Sequence, residues 1–366
     1  MRLNLTAPIN DLGYGVAGLN ILKHLVKEGV IVSYWPIGEP TVHEENDANI
    51  IRHCIQTAEM FDAECPSLRI WHQHERAHHI GSGKRIGFPI FELDKFTDIE
   101  KHHLASLDGI LVCSNWAKSI IEKEVPSMKA KIGVVPLGVD SSIFKPTDTP
   151  ANKNTVFLNI GKWEIRKGHD VLIEAFNEAF NEDDDVELWM MNHNPFLTEE
   201  QEREWHYLYL NSKLGSKIKI LPRVRKHSEV ASVMAHADVG VFPSRAEGWN
   251  LEALEMMSMG KYVILTNYSA HTEFATQINS KLIDIDETED AYDGIWFHGQ
   301  GQWASIGDKQ VKQLITSMRS LHECKASDIE NGRRNKNERG IVTAKEFSWE
   351  NSAKKVINYM TTTRGF

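Results

Sequence analysis

Three short stretches of the sequence bring glycines, cations and carboxylates together at spacings that suit the handling of phosphate. The first, Asn10-Asp11-Leu12-Gly13-Tyr14-Gly15, stands directly before a helical pattern. Glycine lets a backbone approach an anion closely, and a helix N-terminus adds unpaired N–H groups and partial positive charge. The same letters also serve a plain strand-to-helix turn. A dinucleotide site needs an acidic residue about 20 positions on, at the end of the next strand. Here that strand ends Tyr34-Trp35-Pro36-Ile37-Gly38, which argues against a nicotinamide cofactor. The second stretch, Gly161-Lys162-Trp163-Glu164-Ile165-Arg166-Lys167-Gly168, sets three cations between glycines. That suits a diphosphate, with Lys as a mobile point charge, and equally a solvated basic loop. In the third, Phe242 to Glu255, Glu247 falls in a loop and Asn250 reads as the cap of a helix running to about Met259. Glu255 then lies little more than one turn into that helix. Such an arrangement offers amides to phosphate, one acid to a sugar and one to a ribose.

Other chemistry-bearing residues form weaker patterns. Trp71-His72-Gln73-His74-Glu75 is followed by His78 and His79, with His102 and His103 further on. His72 and His74, two apart, would share one side of a strand, but no cysteine joins them and no metal site is expected. Asp284-Ile285-Asp286 has the letters of a metal-binding motif in an acidic stretch that reads as an exposed loop. Cys54, Cys65, Cys113 and Cys324 are far apart, as reduced thiols would be.

The elements that must position these residues repeat one pattern twice. Short apolar runs alternate with stretches of helical period, as in α/β layers around parallel sheets. In the first half the strands are expected at Arg2–Thr6, Val30–Trp35, Leu68–His72, Gly109–Cys113 and Ile132–Val135, with a helix at Val16–Glu28 ended by Gly29. The second half restarts at Thr155–Ile160, continues with a helix at Gly168–Phe180, and has strands at Val186–Asn192, Ile218–Leu221, Val239–Phe242 and Tyr262–Leu265. Thr147–Asn154 is the linker candidate. The length of 366 residues fits two domains at roughly 150 each, and 41% apolar residues can fill both cores. A net charge of −10 argues against a protein that coats nucleic acid or an anionic membrane, while leaving room for a local basic groove. No apolar run approaches the roughly 20 residues of a membrane span, and the N-terminus lacks a signal-peptide core. A soluble cytoplasmic protein without stable membrane insertion is expected.

Taken in order, these stretches resemble the retaining glycosyltransferases of family 4, of the GT-B fold. Glu247 to Glu255 is similar to that family's Glu-x7-Glu motif, and Gly161 to Gly168 to its basic donor-phosphate loop. Val112-Cys113-Ser114-Asn115-Trp116-Ala117, Val135-Pro136-Leu137-Gly138-Val139-Asp140, Phe144-Lys145-Pro146 and Phe347-Ser348-Trp349 resemble further family segments. The resemblance implies two Rossmann-like α/β domains with a ligand cleft between them. Residues 1–149 would form an acceptor domain, on which a helix of about 350–366 packs back, and residues 150–349 the donor domain.

By this resemblance Lys167 and Lys162 hold the donor diphosphate. Lys162 stands where Arg is frequent, so Arg166 shares the role, since an ammonium cannot make the guanidinium's fork. Gly13 and Gly15 would close over the diphosphate, and amides near Asn250 and Leu251 would meet phosphate or sugar. Glu255 would take the ribose and Arg223-Val224 the base, while His74 and Glu247 meet the donor sugar. Catalysis would rest on His74, Glu247 and Lys167, with a nucleoside-diphosphate sugar as co-substrate, no cofactor and no metal. The acceptor, a glycan or small molecule, stays open. Asn4 to Gly15 more loosely resembles glycosyltransferase-like proteins of tailed phages, which makes hydroxymethylated DNA an alternative acceptor. Lys84-Arg85, Arg223/Arg225/Lys226 and Arg333-Arg334/Lys336/Arg339 would then be phosphate contacts. The same residues are also compatible with a nucleotide-sugar epimerase, or with a binder that has no turnover.

Overall fold

The computed structural model describes residues 1–147, 153–332 and 336–362. The centre of the expected linker, 148–152, lies outside the described residues, as do Arg333 and Arg334. The chain divides into two compact units, Met1–Gly138 with Glu346–Phe366, and Val139–Lys345.

The first unit holds one sheet of β1 (Arg2–Ala7), β2 (Ile31–Pro36), β3 (Ser67–Ile70), β4 (Arg85–Phe88), β5 (Gly109–Val112) and β6 (Ile132–Val134). All neighbours are parallel, in the order β2-β1-β3-β4-β5-β6. Helices α1 (Gly13–Lys27), α2 (Glu45–Thr57), α3 (Asp98–Ala105) and α4 (Asn115–Glu124) connect them. The central strands are covered on both faces, as parallel strands are, so β3 and β5 are buried at every residue. The order reverses between β1 and β3, and the loops after such a reversal are where open α/β sheets bind ligands.

The second unit repeats the arrangement with β7 (Thr155–Gly161), β8 (Val186–Asn192), β9 (Ile218–Ile220), β10 (Val239–Phe242), β11 (Tyr262–Thr266) and β12 (Lys281–Ile283). The parallel order β12-β11-β10-β7-β8-β9 is the doubly wound one, with its reversal between β7 and β10. An antiparallel hairpin of β13 (Thr288–Tyr292) and β14 (His298–Ala304) follows. The helices are α5 (His169–Ala179), α6 (Glu199–Leu210), α7 (His227–His236), α8 (Leu251–Ser258), α9 (Asp308–Glu330) and α10 (Glu338–Glu346). Phe157, Leu172, Phe176, Leu188, Val241 and Leu314 join sheet and helices in one core. Under the amino ends of the strands, the buried Lys325 of α9 reaches Asp238 Oδ2 at 2.6 Å, and the same oxygen accepts the Val156 amide at 2.8 Å.

Four strands escape the sequence pattern. β4 and β12 are three or four residues long and carry Arg, Gly or Lys. The hairpin strands TEDAY and HGQGQWA alternate too little apolar surface to be read as strands. Two expected boundaries also move. α1 begins at Gly13 rather than Val16, so Gly13 and Gly15 are helical. β3 stops at Ile70, which puts His72 and His74 in a turn instead of on one side of a strand.

The last helix, α11 (Trp349–Thr362), belongs to the first unit and packs on α1. Tyr359 donates from Oη to the Lys131 carbonyl at 2.5 Å, and Ser352 Oγ to that of Pro136 at 2.6 Å. Gly138 permits this approach, because a Cβ there would lie 2.2 Å from the Trp349 amide nitrogen. Among the described residues no helix is long and apolar enough to cross a membrane. Gly138→Ala is therefore expected to loosen α11 from the end of β6. Amide hydrogen exchange checks this: faster exchange across 349–362 with α5 and α9 unchanged is the expected result, and unaltered protection of α11 refutes it.

Candidate functional site

The second unit's site grows from the reversal between β7 and β10. The loop after β7 makes a single tight turn at Ile165–Lys167 and leaves it at Gly168, whose φ of 73° is left-handed. A side chain there would also meet the Pro243 carbonyl at 2.1 Å, so only glycine lets this loop lie against the one after β10. The Arg245 amide closes the contact on the Arg166 carbonyl at 2.7 Å. The residues from Val241 to Leu251 are all buried, an unusual state for a loop, and their polar groups must find partners inside.

They find them in a continuous ion-pair network. Arg166 reaches Glu164 Oε2 through Nη2 at 2.7 Å and Nε at 3.1 Å, and through Nη1 the Ala246 carbonyl at 2.7 Å and Glu247 Oε2 at 3.0 Å. Lys167 Nζ lies 2.8 Å from Glu247 Oε1, which also accepts from Ser244 Oγ at 2.8 Å. Lys162, the most exposed member, pairs with Glu164 Oε1 at 2.6 Å. Burial alone would push the Glu247 carboxyl up; Lys167 and Arg166 overcome it and hold the group well below the usual carboxylate range. Burial likewise works to lower Lys167, and Glu247 beside it raises it instead. Both groups are thus charged.

A third loop, after β11, braces the second. Ser269 Oγ accepts the Glu247 amide at 2.9 Å, and the Ala270 amide donates to the Glu247 carbonyl at 3.3 Å. His271 is pushed down to about 4, by burial first of all, so its ring is neutral. Its Nδ1 faces the Thr266 carbonyl at 3.0 Å, which assigns the proton there and leaves Nε2 to accept from Asn250 Nδ2 at 2.9 Å. Asn250 Oδ1 in turn caps α8 at the Ala253 amide, 3.1 Å away. Asn250 and Ser269 are the two non-glycine residues of positive φ among the described residues, at 82° and 51°. Backbone strain is concentrated where the loops meet, as at sites that a surrounding network over-determines.

Past this brace the site has groups without protein partners. Among the described residues nothing accepts from the Leu251 and Glu252 amides, the first two of α8. One turn further on, Glu255 is only 8% exposed. No donor among the described residues reaches its carboxylate, and burial, with a smaller contribution from Glu252, raises it well above the ordinary value.

The remaining expected residues lie elsewhere. Arg223 and Val224 stand in the irregular stretch between β9 and α7, Arg223 exposed. In the first unit, Gly13 is exposed at the start of α1, and Gly15 leaves room for Asn10, whose amide nitrogen would be 2.3 Å from a Cβ. Between them Tyr14 donates to the Ile90 carbonyl at 2.5 Å and packs on His72 at 4.7 Å between ring centroids. His74 is exposed, its ring stacked on that of His72 at 5.2 Å. Among the described residues no group of three His, Cys, Asp or Glu side chains is arranged to hold a metal ion. Asp286 is exposed and paired with Lys309 at 2.5 Å.

The sequence offered little sign of three further contributors. His169 accepts the Glu164 amide on Nδ1 at 3.2 Å and faces Asn159 Oδ1 through Nε2 at 3.0 Å, tying the loop after β7 to its strand. Arg245 grips Asp170 with both Nη atoms at 2.8 Å and donates to the Ile165 carbonyl at 2.7 Å. His271 completes the brace. Each stands one or two residues from a motif position or follows the next strand, and pairs with residues remote in sequence.

Glu247→Gln would leave Arg166 and Lys167 buried without their shared carboxylate, a loss of about 3–5 kcal/mol. Because the native carboxyl titrates below the unfolded one, its contribution is complete above the ordinary 4.5 and is lost as pH falls through the native value. Denaturant melts across pH 3 to 7 should show a wild-type stability advantage that shrinks on acidification; a constant difference between the two proteins would contradict the ionised assignment.

Comparison with known proteins bears on the fold and on the family. Residues 154–295 match the family model described as glycosyl transferases group 1. One component of the phosphatidylinositol N-acetylglucosaminyltransferase of Arabidopsis thaliana is 26% identical over 204 residues, 53% of this chain and 44% of that protein. The chain spans about half the length of the curated relatives it matches. Among solved structures, a sucrose-phosphate synthase of Thermosynechococcus elongatus superposes with a TM-score of 0.71 at 14% identity, covering 99% of this chain and 98% of that one. HepE of Anabaena, in complex with UDP and glucose, gives 0.66 at 13% identity, covering 99% of each. The chain is thus an α/β protein of two Rossmann-like halves with the architecture of GT-B glycosyltransferases, and its second half carries the match to glycosyl transferases group 1.

Proposed function

We propose that the protein is a retaining glycosyltransferase that moves a sugar from a nucleoside-diphosphate sugar, a UDP-sugar foremost, to a hydroxyl acceptor. The observation that carries this reading is the start of α8: two unpaired amides, then a buried Glu255 carboxylate with no donor one turn on. A ligand with an anion at one end and a vicinal diol at the other, a nucleoside diphosphate, satisfies both. The family match over 154–295 and the UDP complex of HepE support it.

In this reading Lys167, Lys162 and the α8 amides meet the diphosphate, while Arg166, with its donors on Glu164, Ala246 and Glu247, is a positioning residue. The bond from the anomeric carbon to the phosphate oxygen breaks as the acceptor oxygen attacks from the same face. The acceptor's proton passes to the departing phosphate. Charge developing there is stabilised by groups already oriented, and the reading needs no resident metal. Glu247 is ionised and hydrogen-bonded on both oxygens, which suits holding donor-sugar hydroxyls through its remaining lone pairs better than covalent attack. Asn250 shapes the loop beside the sugar, Leu251 supplies an amide, and the backbone at Arg223-Val224 reads the base.

A thermal-shift series with UDP-, GDP- and ADP-sugars tests the assignment, followed by turnover with glycans and with hydroxymethylated DNA. Nucleoside diphosphate released in proportion to modified acceptor is expected; an altered nucleotide sugar without acceptor would indicate an epimerase, and stabilisation without product a binder. Lys167→Ala should lower turnover by roughly 10²-fold or more; wild-type kinetics would remove it from the mechanism.

Glu255 gives a second test with opposed effects. Its native carboxyl is raised, so without ligand the protein loses stability as pH climbs from the ordinary 4.5 towards the native value. Glu255→Gln should therefore melt higher than wild type at neutral pH, yet bind nucleoside diphosphate at least tenfold more weakly, because the amide has one acceptor oxygen in place of two and cannot be drawn into a charged form by the ribose hydroxyls, about 1.5–3 kcal/mol. Calorimetry and binding titration read both, and a variant that binds as wild type would detach Glu255 from the ribose.

A further inference from the structure

Beside the diphosphate loop two aromatic rings stand in water for which the fold gives no reason. Phe196 is 56% exposed and Trp296 43%. Their rings meet edge to face, at 5.7 Å and 73°, and Lys162 Nζ lies 5.6 Å from the Phe196 centroid.

These rings come from distant parts of the unit. Phe196 follows β8. Trp296 is at the tip of the β13–β14 hairpin, which follows β12 at the opposite edge of the sheet, beyond the reversal. On its way the hairpin is fastened to the loop of Glu247. The Ala304 amide donates to the Arg245 carbonyl at 2.9 Å, Arg245 Nε lies 3.4 Å from Glu289, and the guanidinium is 6.0 Å from the Trp303 ring. The tip is rigid by construction. Asp293 Oδ1 accepts the amides of Ile295, Trp296 and Phe297 at 2.9, 2.7 and 2.9 Å, and Phe297 turns inward onto Trp303 at 5.3 Å. A tryptophan presented on a fixed backbone is a binding anchor for which part of the ordering entropy is already lost.

We propose that Phe196 and Trp296 form a stacking platform for the nucleobase of the donor, an inference that rests on the nucleoside-diphosphate reading above. The cation beside the platform is Lys162, assigned to the diphosphate, and a base is a flat π ring one ribose away from that anion. β8 pairs with β9, so the platform's loop neighbours Arg223-Val224. One loop takes the face of the base and the next its edge. The exposed groups around Trp296 on the hairpin mix Tyr292 and Ile295 with His298 and Gln300. Stacking on a ring face is tolerant of base identity, so the platform contributes to uracil, guanine and adenine alike.

The test compares wild type, Phe196→Ala and Trp296→Ala by titration calorimetry with UDP, GDP, ADP and, as a base-free probe, inorganic pyrophosphate. Each variant should bind all three nucleotides about tenfold more weakly, with pyrophosphate unchanged and Trp296→Phe restoring most of the loss. Unchanged nucleotide affinity in both variants overturns the platform. So does an equal loss for pyrophosphate, which would place the effect on Lys162. Wild type that binds no nucleoside diphosphate would instead overturn the proposed function, and the platform with it.

Discussion

The Arg166 guanidinium, taken out of water and shared between Glu164 and Glu247, is the constraint on which the second unit's carboxyl edge is built. Removing a charge from water costs several kcal/mol, and only complete pairing in good geometry returns it. Arg166 achieves that by reaching acceptors on two loops that are about 80 residues apart in sequence, as its bonds to Ala246 and Glu247 record. The loops are consequently restricted to one mutual arrangement. The left-handed Gly168, the positive φ of Asn250 and Ser269 and the all-buried run through Gly248 follow from satisfying that arrangement.

Within this frame the two glutamates of the Glu-x7-Glu spacing have opposite electrostatics. Glu247 is surrounded by cations and hydroxyl and is ionised far below its normal range, whereas Glu255 has neither and is raised. The contrast follows from position. Glu247 lies in the loop, in reach of cations after β7, while Glu255 lies on the buried side of α8, where the helix's own donors are already used. One carboxylate ties the loops together; the other has no protein donor among the described residues. The same division holds among the cations, with Arg166 internal and Lys162 at the rim.

The sequence made the sheets legible because buried parallel strands read as apolar runs, and β8 and β10 end where the pattern ends. It also placed the cap at Asn250, since the residue type and the following helical period agree. What escaped depends on contacts between remote residues. β4 and β12 owe their strand state to neighbours rather than to their own three or four residues. His169 and His271 are silent in sequence because a buried neutral imidazole is defined by which group each nitrogen faces. In the basic loop the letters counted three cations, but not that Glu164 and Glu247 would engage them. That engagement turns a solvated basic loop into a rigid one.

The hairpin's construction has a consequence for how such a site can diversify. Asp293 holds the tip through backbone amides alone, and Arg245 holds the base through a carbonyl and Glu289. The outward side chains at 295 and 296 therefore take no part in keeping the hairpin's shape. Their identities are free to drift under selection without disturbing the loop of Arg166 and Lys167 or the two glutamates, so the outward surface of this tip can be rewritten while the ion-pair network beneath it is inherited intact.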